Sequence, residues 1–178
     1  MKLVVPLLDL KPQYQALKAE LDAAMQAVAA SQHFILGPSV KALEEQIAPY
    51  VHCKFGVGVS SGTDALLLAL MALDIGRGDE VITSSYTFFA TGGTIARVGA
   101  RPVFLDIDPV SYNMDPSAIE AAITPRTKGI LPEEVFGNTA HFDEYERMAR
   151  KRNLLMLEDC CEALGGQLGG RPAGQFGE

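Results

Sequence analysis

Apolar residues first recur at helical spacing. Tyr14, Leu17, Leu21, Ala24, Met25 and Val28 line one face, which predicts an amphipathic surface helix. Pro12 suits its first turn. A loop from Ser31 to Pro38 contains the tight Gly37-Pro38 pair. Val40, Leu43 and Ile47 then predict a second helix from about Val40, with Ser39 as its N-cap. Residues 1–54 therefore read as a helical segment.

Beyond residue 54 the rhythm changes to short apolar runs alternating with helical stretches. Strands are predicted at Phe55 to Val59, Glu80 to Thr83, Pro102 to Leu105, Lys128 to Leu131 and Leu154 to Leu157. Helices are predicted at Thr63 to Leu73, Thr87 to Val98, Asp115-Pro116 through Ile123, and Asp143 to Arg152. Strands that are apolar throughout suit a sheet covered on both faces. The alternation implies an α/β domain over residues 55–178, with a mostly parallel sheet and right-handed crossovers. The helix from Thr63 is apolar nearly all round, so it is expected to be buried. From Gly165 to Glu178 six glycines interrupt any period. The domain is expected to continue beyond this loop, which makes the chain read as a piece of a longer protein.

Composition narrows the function. Hydrophobic residues are 48% and charged residues 21% of 178, which argues against disorder. The net charge of −7 disfavours a general grip on nucleic acid, which requires many Lys and Arg. It leaves room for a small anion held by backbone N–H groups. Cys53, Cys160 and Cys161 make a poor disulfide framework and contain no C-x-x-C pair, so reduced thiols and a cytoplasmic location are expected. No apolar run is long enough to span a bilayer. The opening Met-Lys-Leu-Val-Val-Pro is too short an apolar stretch for a signal peptide.

Four features fall at carboxyl ends of predicted strands, where α/β sheets bind ligands. Ser60-Ser61-Gly62-Thr63-Asp64 precedes the apolar helix; its small residues and free N–H groups suit a phosphate, or equally an ordinary N-cap. Phe88 follows the Ser84-Ser85-Tyr86-Thr87 turn and could stack on a planar ring or serve the core. Asp159 could pair with a protonated ring nitrogen or cap the next turn. Glu162 could reach the same ligand or face solvent. Together they supply the three non-covalent needs of pyridoxal phosphate: a phosphate cradle, a stacking aromatic and a ring-nitrogen acid.

Several stretches resemble the DegT/DnrJ/EryC1/StrS family of sugar aminotransferases. They are Gly58-Val59-Ser60-Ser61-Gly62-Thr63-Asp64-Ala65-Leu66, Gly78-Asp79-Glu80-Val81-Ile82-Thr83, Tyr86-Thr87-Phe88, Pro102-Val103-Phe104-Leu105-Asp106, Ala122 to Lys128, and Glu158-Asp159-Cys160-Cys161-Glu162-Ala163. Leu7 to Leu10 and the Phe34 to Pro38 loop are similar as well. The resemblance implies the large domain of fold type I, the aspartate-aminotransferase-like fold of pyridoxal-phosphate enzymes. It implies a homodimer that moves an amino group from glutamate to a nucleotide-linked keto sugar. By position Gly62 and Thr63 match the phosphate-binding residues, Phe88 the stacking aromatic, and Asp159 the partner of the pyridine nitrogen. Glu162 stands where many members have Gln against the ring hydroxyl.

Three departures qualify the expectation. None of Lys2, Lys11, Lys18, Lys41, Lys54, Lys128 and Lys151 matches the context of the family's Schiff-base lysine, so that lysine is expected beyond Glu178. No catalytic residue is assigned within the chain, and the chain alone is expected not to transaminate. Glu134 stands where many members carry His. A chain without the family's remaining half is expected to expose apolar surface. Other readings stay open: a dehydratase of the same family, with His in place of the lysine; a non-catalytic relative; or an unrelated nucleotide-binding domain, although no G-x-G-x-x-G follows the first strand.

Overall fold

The computed structural model describes residues 5–178. Residues 1–4, which carry most of the stretch considered above as a leader, and Lys2 lie outside the described residues. Helix α1, Lys11–Ser31, has a proline in its first turn and no buried residue. Helix α2, Pro38–Tyr50, begins earlier than expected. Gly37 is its N-cap and Pro38 opens it, so Ser39 does not cap it; the fixed φ of proline is already suited to a helix start.

The expected strand at Phe55 to Val59 is extended chain without a ladder. Phe55 and Val57 are exposed, and the Gly58 N–H donates to Glu44 Oε1 of α2 at 2.6 Å. Apolar content makes a segment fit for a strand, but a strand exists only when a neighbour pairs with it. No such neighbour is present among the described residues.

Helix α3, Gly62–Ala72, buries Leu66 and Leu70. Its opposite face, carrying Ala65, Leu68, Met71 and Ala72, is exposed. The expectation of full burial is corrected here: the composition suits burial all round, while only one side has a partner. Leu7, Leu8, Ile35, Leu36 and Phe89 are exposed as well.

Four parallel strands form the sheet, in the order β2-β1-β3-β4. They are β1 Glu80–Ser84, β2 Arg101–Leu105, β3 Thr127–Leu131 and β4 Leu155–Met156. Helices α4 Phe89–Arg97, α5 Pro116–Ala122 and α6 Phe142–Arg152 complete the alternation. Successive strand residues point to opposite faces, and the two cores follow that rule. Val81 and Leu131 pack with Leu66, Leu70 and Ile95 of α3 and α4. Ile82, Ile130 and Met156 pack with Ile119, Phe142 and Tyr145 of α5 and α6. The fold is thus α/β, a parallel sheet with helices on both faces.

The amino-terminal edge of the sheet is closed by one buried acid. Glu80 is 1% exposed. It accepts from Arg126 Nη2 at 2.5 Å, Arg101 Nη1 at 3.2 Å and Thr124 Oγ1 at 2.6 Å. Thr124 and the two guanidinium groups hold its carboxyl below the usual range.

The glycine-rich tail is ordered as a hairpin, β5 Gln167–Leu168 with β6 Arg171–Pro172. Its two-residue loop, Gly169-Gly170, has φ of +60° and +85°, values that fit tight hairpin turns and favour glycine. Phe176 then enters the core beside Phe142. Glu158 secures the tail by accepting from the N–H groups of Gly174, Phe176 and Gly177 at 2.6, 2.7 and 3.1 Å.

Candidate active site

All the predicted site residues gather at the carboxyl edge of the sheet. Ser61, in extended conformation, caps α3: its Oγ accepts from Asp64 N at 3.1 Å. Its carbonyl accepts from Ala65 N at 2.9 Å. Gly62 N–H and Thr63 N–H have no acceptor among the described residues. Free N–H groups at a helix N-terminus, reinforced by the helix dipole, suit an anion. Gly62 also touches the far side of the site, since a Cβ there would lie 3.4 Å from Cys161 Sγ.

Phe88 caps α4 in extended conformation, and its ring is exposed. Its backbone N–H donates to Glu133 Oε2 at 3.3 Å, and the Thr87 hydroxyl donates to the same oxygen. Glu133 is bridged in parallel to Asp159 through the backbone. Glu134 N–H donates to the Asp159 carbonyl, and Asp159 N–H to the Pro132 carbonyl, both at 3.0 Å. One residue therefore joins Phe88 to Asp159. Asp159 is buried at 6% exposure, and Cys161 N–H donates to its Oδ1 at 3.4 Å. Glu162 is exposed, and its charge is felt at Glu133.

Acids crowd this edge with N–H and O–H donors but no ion pair to answer them. Burial, together with the charges of Asp159 and Glu162, raises the Glu133 carboxyl to about 7 against the pull of the Phe88 N–H. Glu134, wholly buried, has no partner of normal hydrogen-bond geometry on either oxygen. Burial and its neighbours Glu158 and Asp159 raise it to about 8. A carboxyl so placed remains protonated at neutral pH, which relieves repulsion from Glu158. Burial and the same acids push Cys160 up to about 12; burial, then Asp159, does so for Cys161. Among the described residues no Lys or Arg forms an ion pair with Glu133, Glu134, Glu158, Asp159 or Glu162.

The arrangement can hold an anion at α3, a flat ring against Phe88 and a cation at Asp159. Sequence reading missed Glu133, whose importance lies in a contact with Thr87 that is remote along the chain. Its only local signal was a second acid beside Glu134, just after a strand. Three exposed aromatics, Tyr86, Tyr112 and Phe136, also meet at this edge with ring centroids 6.0 to 6.3 Å apart.

Known proteins share both sequence and shape with this chain. A "pleiotropic regulatory protein" of Geobacillus stearothermophilus is 46% identical over 97% of the chain and 46% of that protein. The UDP-2-acetamido-2-deoxy-3-oxo-D-glucuronate aminotransferase of Pseudomonas aeruginosa is 43% identical over 94% of the chain and 47% of the enzyme. The crystal structure of Streptomyces venezuelae DesV in complex with a ketimine intermediate superposes with a TM-score of 0.90 at 41% identity, covering 94% of the chain and 45% of DesV. The chain thus spans about half the length of the curated relatives it matches. Residues 15–178 match the family's own sequence profile, and the chain belongs to the DegT/DnrJ/EryC1/StrS aminotransferase family.

Proposed function

We propose that the whole protein is a pyridoxal-phosphate-dependent aminotransferase that transfers an amino group from glutamate to a nucleotide-linked keto sugar. It works as a cytoplasmic homodimer, and residues 55–178 are part of its cofactor domain. One observation carries the reading: Phe88 and Asp159, joined through Glu133, stand on the same sheet edge as the free N–H groups of α3. Membership of an aminotransferase family supports it. No helix of the described residues is long and apolar enough to cross a membrane.

The residues fit the cofactor by their chemistry. Gly62 and Thr63 bind the phosphate through backbone N–H groups and the helix dipole. Phe88 covers one face of the ring and keeps water from it. Asp159, buried and acidic, holds a proton on the ring nitrogen. Glu162 stands at the rim for the ring hydroxyl. When bound, the cofactor supplies an electron sink for the carbon that exchanges its amino group. A lysine must anchor the cofactor and move the proton. No described lysine joins the acid cluster by an ion pair, and we assign that role to the half of the family's length that this chain does not span.

Binding of pyridoxal 5'-phosphate to the protein and to Asp159→Asn tests the assignment. Asn cannot carry the charge that holds the ring proton, so affinity is expected to fall about tenfold or more, with a change in the absorption of the bound ring. Equal affinity and an unchanged spectrum would remove Asp159 from the site.

A further inference from the structure

Side chains alternate across a sheet, and the alternation divides the acids of the carboxyl edge into two groups. Leu131 and Leu157 pack on the side of α3 and α4, while Ile130 and Met156 pack on the side of α5 and α6. The Glu133–Asp159 bridge carries the alternation past the ladder. The first series continues to Glu133, Asp159 and Cys161, at the candidate active site. The second continues to Glu134, Glu158 and Cys160. These three converge: a carboxylate oxygen of each acid and Cys160 Sγ all lie within 4.8 Å of one another.

Glu134 is fully buried, and neither of its oxygens has a hydrogen-bond partner among the described residues. For packing alone this is a costly choice, because an apolar side chain would fill the space without the desolvation. Glu158 accepts the Gly174 N–H on Oε1 at 2.6 Å, and the Phe176 and Gly177 N–H groups on Oε2 at 2.7 and 3.1 Å. These bonds fix its carboxylate and leave Oε1 a free lone pair. Outer-shell donors of this kind orient the carboxylates that bind metal ions. Cys160 Sγ lies under the same stretch of tail, since a Cβ on Gly174 would sit 3.4 Å from it. Arg171 feels the charge of Glu158 but is engaged by Glu146 and by the Gln175 carbonyl.

We propose that Glu134, Glu158 and Cys160 bind one divalent ion of the zinc class, at a structural site on the opposite face of the sheet from the candidate active site. Two carboxylates and a thiolate make a mixed set that suits a borderline ion. Magnesium and calcium prefer oxygen ligands throughout. Three protein ligands leave a position for water, which partly exposed Cys160 admits. On binding, the Glu134 carboxyl and the Cys160 thiol release their protons to solvent, and the ion replaces them. Without the ion, the proton on Glu134 is what lets the two carboxyls lie together. The ion ties the end of β3 to the end of β4 and, through Glu158, to the glycine-rich tail. This site is independent of the proposed function.

Titration of the whole protein with Zn²⁺ and with Co²⁺ tests the proposal, alongside Glu134→Gln, Cys160→Ser and Cys161→Ser. Each substitution keeps the shape of the side chain it replaces, and circular dichroism checks the fold. The native protein is expected to bind one ion per chain at this site, to melt at a higher temperature with Zn²⁺, and to show thiolate-to-cobalt charge-transfer absorption that Zn²⁺ abolishes and Mg²⁺ does not. Cys160→Ser is expected to lose that absorption, and Cys161→Ser, on the other face, to keep it. Glu134→Gln is expected to bind Zn²⁺ more weakly by at least the roughly 10- to 100-fold that loss of an outer-shell partner costs. Native affinity in Glu134→Gln overturns the proposal and leaves a proton shared between Glu134 and Glu158 as the reason the acids tolerate each other. Absorption that survives Cys160→Ser overturns it too, as does a native protein that binds no Zn²⁺. None of these results bears on pyridoxal 5'-phosphate, whose binding is measured separately.

Discussion

The two edges of one sheet treat acids in opposite ways. At the amino edge, Glu80 is buried but answered by Thr124 and two arginines, and its carboxyl stays ionised below the usual range. At the carboxyl edge, Glu133 and Glu134 are raised toward neutrality by burial and by other acids. The first arrangement ties β1 to the starts of β2 and β3 and spends its charge internally. The second leaves charge and hydrogen-bonding capacity unspent. Acids raised toward neutrality on the ligand-binding side of an α/β sheet are the physical mark of a functional-site candidate.

Removing an acid from each edge separates the two cases. Glu80→Ala leaves Arg101 and Arg126 without their shared partner and frees the Thr124 hydroxyl. Its melting temperature should drop further than any single surface substitution causes, and the loss should shrink as pH falls into the acid range, because the native carboxyl itself protonates there. A Glu80→Ala melt equal to the native one would erase the contrast.

The opposite change is expected from Glu134→Gln. The folded carboxyl titrates near 8 and its ordinary value is 4.5, so the folded state holds the proton more tightly than the unfolded state. The stability it contributes is complete below about 4.5 and declines as pH rises through about 8. Gln has no proton to lose. At pH about 8 the variant should be more stable by about 1–3 kcal/mol, with a flatter dependence of melting temperature on pH. Equal slopes for the two proteins would show that the burial of Glu134 carries no such cost.

Much of this organisation was legible beforehand. The alternation of apolar runs and helical stretches located four parallel strands, because strand faces buried on both sides leave a clear pattern. Phe88, Asp159 and Glu162 stood out because they follow strand ends, and Gly62 and Thr63 because small residues there open an apolar helix. What escaped depends on contacts between distant segments. Phe55 to Val59 has a strand's composition, but pairing belongs to a neighbour. The apolar Leu68 and Met71 say nothing of which helix face has a partner. Glu133 reads as one loop acid among several until Thr87 and Phe88 are brought against it. The hairpin in the tail was hidden because Gly169 and Gly170 contribute conformational freedom rather than periodicity.

The acid crowd has a further consequence, for redox behaviour. Cys161 is exposed and Cys160 adjoins it, a placement that would ordinarily invite oxidation. Both thiols are pushed up to about 12 by burial and neighbouring acids, while the thiolate is the reactive form. Alkylation near neutral pH should therefore be much slower than for a free cysteine, and Asp159→Asn should speed it at Cys161 by removing the acid that, after burial, raises its value most. The same crowd of acids thus protects its own sulfurs from peroxide and from mixed disulfides.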